Sequence, residues 1–228
     1  MNYLPLAPAF FAILAGLFLI LVVLIEIRVL RYAYMRTGIS SRAALLLLFG
    51  SLIGSYINIP LYQFPDQVVQ SGQEVVYFGV HYVVPVVQER PGTTVAVNVG
   101  GAVIPIILSF FLLFKNDMWT SGIIATAIVA AVMHYLATPV PGVGIAVPMF
   151  VPPLVTAIVA VVIARQHAAA LAYISGSLGT LIGADLLNLG AVQGLGAPVA
   201  SIGGAGTFDG IFLTGIVAVL LASFSPRA

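Results

Sequence analysis

The chain has no cysteine, a single tryptophan and very little charge; only 7% of its 228 residues are Asp, Glu, Lys or Arg. Without cysteine, disulfides and thiolate metal sites are excluded. With so few charges, a soluble domain of this length could not cover itself with polar surface, so the solvent must be lipid. A formal net charge of +1 gives no case for nucleic acid as a partner. The three histidines are scattered and form neither His-x-x-x-His nor Glu-x-x-His, so the sequence points to no metal and no cofactor. What is abundant is apolar: 61% of residues are hydrophobic and the mean hydropathy is +1.15.

A membrane span needs about 20 mostly apolar residues. Seven stretches meet or approach that, roughly 5–30, 43–62, 96–114, 118–137, 147–164, 169–190 and 208–224. They predict an all-α, polytopic membrane helix bundle, one transmembrane domain over residues 1–228. The first apolar stretch, Leu4 to Leu30, is too long for a signal-peptide core and reads as a retained first span. Arg28, Arg31, Arg36 and Arg42 cluster after span 1, Lys115 follows span 3, Arg165 follows span 5 and Arg227 follows span 7. With seven spans these places share one side, and only Arg90 falls on the other. Positive-inside bias then puts the N-terminus outside and the C-terminus in the cytoplasm, in a multi-pass protein of the plasma membrane.

One connection is long enough to have structure of its own. Residues 63–95 are rich in β-branched and aromatic residues and carry a Pro91-Gly92 turn, which predicts a short external β-hairpin or a cap on the bundle. A weak internal echo also runs through the chain. Gly50-Ser-Leu-Ile-Gly54 matches Gly179-Thr-Leu-Ile-Gly183, with Asn58 and Asn188 following; Val99-Gly-Gly-Ala102 matches Ile202-Gly-Gly-Ala205. Read as a repeat, it is a parallel one about an axis along the membrane normal, with Tyr56 in the place of Asp185 and no acid matching Asp209. Close helix packing accounts for most of the 23 glycines.

Packing does not account for two aspartates in apolar surroundings. Asp185 stands in Leu178-Gly-Thr-Leu-Ile-Gly-Ala-Asp-Leu-Leu-Asn-Leu189, and Asp209 in Gly203-Gly-Ala-Gly-Thr-Phe-Asp-Gly-Ile-Phe-Leu-Thr-Gly215. A carboxylate at a helix centre costs roughly 2.5–3.5 kcal/mol on insertion scales, so an acid that persists there points to function. In the seven-span topology both lie near the outer ends of adjacent antiparallel helices. Packed helix axes lie about 8–10 Å apart, close enough for two facing aspartates to share a water. Carboxylates that close do not both ionise easily and would hold a proton jointly. One can then activate water while the other protonates a scissile carbonyl.

The segment Gly204-Ala-Gly-Thr-Phe-Asp-Gly-Ile-Phe-Leu-Thr214 resembles the Gly-x-Gly-Asp helix start of intramembrane aspartyl proteases, the presenilin and signal peptide peptidase group. The order of an aspartate helix, a connection and a Gly-rich aspartate helix is similar too, and Pro152-Pro-Leu154 looks like a relative of that group's Pro-Ala-Leu element. The chain departs from the pattern in its seven expected spans against the group's nine, and in three further ways. Gly204 and Gly206 stand five and three residues before Asp209, Asp185 follows Ala184 where the group favours Tyr, and Pro152-Pro153-Leu154 precedes the aspartate helices. The resemblance covers roughly 147–224 and implies an Asp185/Asp209 dyad that cleaves transmembrane proteins or peptides. Gly204, Gly206, Gly210, Pro152, Pro153 and Leu154 would then meet the substrate strand. Asn188, three residues after Asp185, shares its helix face and either orients the carboxylate or bonds between helices. His134 and Tyr135 read as interfacial, and Asp66, Glu74, Glu89 and Asp117 as solvated loop acids. Two other functions fit the same acids, a small proton-coupled carrier and a non-catalytic membrane scaffold. The sequence does not give the oligomeric state.

Overall fold

The computed structural model describes residues 8–77, 80–90, 92–140, 144–148, 150–192, 198–204 and 210–223. The first helix, α1 (Pro8–Arg36), gives way to a turn at Gly38, whose φ of +92° favours glycine. Helix α2 (Ser41–Gly54) then starts under the Ser40 hydroxyl, which accepts the Ala43 N–H. The two helices meet at 118°.

After Gly54 the chain becomes strand. Its composition explains the switch: Ile57 and Ile59 are β-branched, and Pro60 lacks the N–H that a helix would need. Strand β1 (Asn58–Gln63) lies antiparallel to β4 (Thr94–Asn98). Between them β2 (Gln67–Tyr77) and β3 (Val80–Arg90) form an antiparallel hairpin in register from Gln67↔Arg90 to Tyr77↔Val80. A π-helical turn, Val99–Val103, leads from β4 into α3 (Ile104–Asn116). Asp117, with φ 49°, ends that helix in the left-handed conformation, and α4 (Trp119–Leu136) runs back.

A small hairpin of β5 (Thr138–Val140) and β6 (Gly144–Ala146) follows, then α5 (Val151–Ile163), which carries Pro152 and Pro153 in its first turn, where a missing N–H costs nothing. A 3₁₀ turn, Arg165–His167, leads into α6 (Ala168–Thr180). Beyond Thr180 the helix loosens into a π segment, Leu181–Asp185, a 3₁₀ turn, Leu186–Asn188, and the short α7 (Leu189–Val192). Strand β7 (Val199–Ile202) then joins β4 in parallel, giving a three-stranded sheet in the order β1-β4-β7, and α8 (Gly210–Ala222) is the last described helix.

Small side chains take many of the innermost places, beside Leu112, Met133, Leu171 and Ile174, and large apolar side chains also cover the outside. The interior is built on Ala33, Ala44, Ala125, Ala160, Ala172 and Ala218, all fully buried, while Leu46, Phe114, Ile123 and Val162 face outward. That is how helices associate in lipid, where burial of apolar surface supplies no drive and close backbone contact does. Helix α6 is the centre of the arrangement, with every residue from Ala170 to Ser177 buried. On one flank a Cβ at Gly176 would stand 3.1 Å from Thr156 of α5 and 3.3 Å from the Gly215 Cα of α8. On another, Gly179 lies against Val129 of α4, and Gly183 against Ala130 and Met133.

Among the described residues, three segments are long and apolar enough to cross a membrane: Val99–Asn116, Trp119–Leu136 and Arg165–Val192; the bent pair Leu19–Arg36 and Ser41–Gly54 makes a fourth if taken as one span. Helix α5, at 13 residues, is shorter; it extends about 20 Å against a hydrocarbon core of about 30 Å. The all-α expectation is amended: beside the expected hairpin, β1, β4 and β7 form a sheet and β5–β6 a further hairpin, and two expected spans change their bounds. Span 2, expected over 43–62, stops at Gly54 because residues 58–63 pair as β1, and span 3, expected from 96, begins at Val99 because 94–98 form β4. Within 63–95 the expected hairpin is present, with two strands of 11 residues.

Candidate functional site

The site is built where two glycine turns meet. Strand β4 runs through Gly100-Gly101 into α3, and β7 runs through Gly203-Gly204 toward α8. The strands lie side by side in parallel, with Val97 opposite Ile202. At Gly203 and Gly204 φ is +90° and +78°, a conformation in which a Cβ is strained. A Cβ on Gly101 would strike the Gly203 carbonyl oxygen, and one on Gly203 would stand 2.6 Å from the Ala102 nitrogen. On the other side of the β4 turn, a Cβ on Gly100 would strike the Ser51 carbonyl oxygen at the end of α2. These positions are glycine because backbone lies against backbone.

Polar side chains fix the turns. Asn98 is almost wholly buried, and its Oδ1 accepts the Gly101 N–H at 2.8 Å while its Nδ2 donates to Ser55 O at 2.7 Å and to Asn58 Oδ1 at 3.1 Å. The Ser201 hydroxyl lies 2.7 Å from Asn58 Oδ1 and 2.6 Å from Gly204 O, and its single proton can serve one acceptor at a time. Asp185 ends the π segment after α6, and its Oδ2 accepts the Gly203 N–H at 2.7 Å. A carboxylate from the α6 break is therefore bonded to the turn that precedes α8.

Asp185 is half-buried, at the same end of the bundle as the sheet. Asp209 and Gly206 lie outside the described residues; Gly204 is in the second glycine turn and Gly210 is the first residue of α8. Asn188 turns back on its own helix, where Nδ2 donates to Gly183 O at 2.8 Å and Ala184 O at 3.0 Å, carbonyls left open by the π segment. Pro152 and Pro153 are buried in the first turn of α5, while Leu154 is exposed. Helix α5 runs antiparallel to α6 across the short Arg165–His167 turn, so its prolines stand toward the Asp185 end. His134 and Tyr135 are exposed at the end of α4.

Sequence reasoning assigned no role to Asn98 or Ser201. The signal was present in the Val99-Gly-Gly-Ala102 and Ile202-Gly-Gly-Ala205 echo, because a strand that enters a double-glycine turn needs a cap for the freed amides. Among the described residues, no three His, Asp or Glu side chains converge as metal ligands.

No curated protein and no solved structure matches this chain. Residues 52–221, which include both glycine turns, the three-stranded sheet and both aspartates, match the family model DUF1614, described as a protein of unknown function. The chain belongs to the DUF1614 family.

Proposed function

We propose that this protein is an intramembrane aspartyl endopeptidase, with Asp185 and Asp209 as its dyad and a transmembrane segment as its substrate. The observation that carries the reading is the bond from Gly203 N–H to Asp185 Oδ2, which ties the first acid to the segment leading to the second. The packing of α6 against α8 supports it. A Cβ on Gly215 would stand 2.7 Å from Ser177 Oγ, so the two helices nearly touch there. From that crossing Asp185 lies about 12 Å along the α6 path, and Gly210, next to Asp209, about 8 Å along α8. Asp185 and the start of α8 at Gly210 are thus within about one helical turn of the same level.

In this mechanism the ionised carboxylate takes a proton from a water as its oxygen attacks the scissile carbonyl. The protonated partner gives its proton to the carbonyl oxygen. The diol then collapses, the C–N bond breaks, and the amine leaves with a proton. A substrate helix must unwind to present a carbonyl, and strand-like backbone beside the dyad would pair with it. Gly204, Gly206 and Gly210, with Pro152, Pro153 and Leu154, are the candidates for that contact.

The chain is proposed to cross the plasma membrane seven times, N-terminus outside and C-terminus in the cytoplasm. In support, the C-terminal ends of α1, α3 and α8 meet the α5–α6 turn, bringing Arg36, Lys115 and Arg165 to one end. The test is cleavage of a model transmembrane peptide by purified protein in vesicles, with Asp185→Asn and Asp209→Asn as controls. Activity in the wild type and loss in both variants supports the dyad; an inactive wild type with the peptide inserted beside it removes the proposal. A second reading rests on the same bond: Asp185 acts as a structural clasp for the Gly203 turn in a non-catalytic scaffold. It requires an intact fold, no cleavage, and a stability loss on removing the carboxylate.

A further inference from the structure

The end of the molecule opposite the sheet holds a cavity of about 150 Å³ lined by Arg36, Thr37, Asn116, Arg165, His167 and the first residues of α6. Its two arginines come from different parts of the chain: Arg36 ends α1, while Arg165 lies with His167 in the turn before α6. At the rim, Lys115 donates to Gly38 O, which brings a further cation to the opening. No carboxylate is among the lining residues; Asp117, next to Asn116, is exposed outside them.

Arg36 is fixed rather than free to swing. Its Nη2 donates to Ser223 O at 3.1 Å, and its guanidinium lies 5.9 Å from the Tyr32 ring centre. Its Nε is buried and has no hydrogen-bond partner among the described residues. The amides of Ala168, Ala169 and Ala170 open α6 at the wall of the cavity, and no side chain caps them. Cations and helix-start amides around one cavity suit a multiply oxygenated anion. The flanks indicate where such an anion comes from. Val162, three residues before Arg165, is 79% exposed and Phe114, just before Lys115, is 70% exposed, so exposed apolar surface lies close to the charged rim.

We propose that this cavity seats the phosphate of an anionic phospholipid, with its acyl chains along the exposed faces of α3 and α5. Basic pockets between apolar helices on the cytoplasmic side are suited to such headgroups. The site lies at the far end of the bundle from Asp185 and stands whether or not the protein cleaves peptides.

The test is native mass spectrometry of the full-length protein in neutral detergent, titrated separately with phosphatidylglycerol, phosphatidylcholine and inorganic phosphate. Phosphatidylglycerol is expected to be retained and phosphatidylcholine not. Arg165→Gln should weaken retention about fivefold, and Arg165→Gln with His167→Gln further. Both positions are exposed, so unfolding of the variants in neutral detergent should match the wild type and separate lost binding from lost fold. Equal retention of the two lipids, or undiminished phosphatidylglycerol binding in the double variant, overturns the proposal. Inorganic phosphate held as tightly as phosphatidylglycerol overturns the lipid and leaves a soluble phosphate compound as the ligand.

Discussion

Replacing Asp185 in two ways separates what its charge does for the fold from what the proposed dyad would ask of it. Its Oδ2 accepts the N–H of Gly203, a buried residue with φ +90°. Asp185→Ala removes the acceptor and leaves that donor unsatisfied, which costs about 1–3 kcal/mol. Asp185→Asn keeps a carbonyl oxygen at the same place and loses only the charge-assisted part of the bond, about 1 kcal/mol or less. The order of stability is therefore wild type, then Asn, then Ala, measured by reversible unfolding in mixed micelles. Cleavage by the proposed dyad would follow a different order, since an amide can accept the Gly203 N–H but cannot share a proton as an acid; Asn and Ala should both abolish turnover. If Asp185→Ala unfolds with the wild type, the clasp is not a stabilising contact and the reasoning from that bond fails. If Asp185→Asn cleaves at the wild-type rate, the dyad fails.

Two other predictions come from the same geometry. Gly101→Ala and Gly203→Ala each force a Cβ into the facing turn, and at Gly203 the left-handed backbone adds about 1–2 kcal/mol; folded yield in membranes should collapse for both, whereas Gly190→Ala, with nothing within 4 Å of the added atom, should express normally. Because the chain contains no cysteine, single Gln166→Cys and Tyr135→Cys variants, both at exposed positions, report sidedness directly: an impermeant thiol reagent added outside intact cells should label Tyr135→Cys and not Gln166→Cys.

Helices were legible where the sequence states them twice, in apolar length and in terminal punctuation. Expected span 4, 118–137, is Trp119–Leu136 in the structure, and expected span 6, 169–190, falls within Arg165–Val192. The boundaries of spans 2 and 3 were not legible, because hydropathy cannot tell apolar strand from apolar helix. Apolar residues such as Ile59, Leu61, Val95 and Val97 run on into the apolar stretches of the helices beside them, and the partners that make these segments strands lie far apart in the chain. The hairpin between them was readable from its β-branched and aromatic residues; its strands meet between Tyr77 and Val80, whereas the Pro91-Gly92 signal in the sequence falls after β3. The echo of Val99-Gly-Gly-Ala102 in Ile202-Gly-Gly-Ala205 was visible, but its meaning was not: that the two turns abut, glycine on glycine, is a fact of tertiary contact. Asp185 stood out as an acid among apolar neighbours; its bond to Gly203 depends on a turn eighteen residues later, which no local pattern specifies.

The account rests on Asp185 and Asp209 facing one another closely enough to hold a proton in common. The direct measurement replaces both with cysteine in this cysteine-free chain and treats membranes with a bifunctional thiol-reactive crosslinker no longer than a water-bridged carboxylate pair. Thr94→Cys with Val199→Cys, which are paired across β4 and β7, serves as the positive control. The account predicts an intramolecular crosslink between positions 185 and 209 as efficient as the control. A crosslinked control beside unreacted cysteines at 185 and 209 would contradict it.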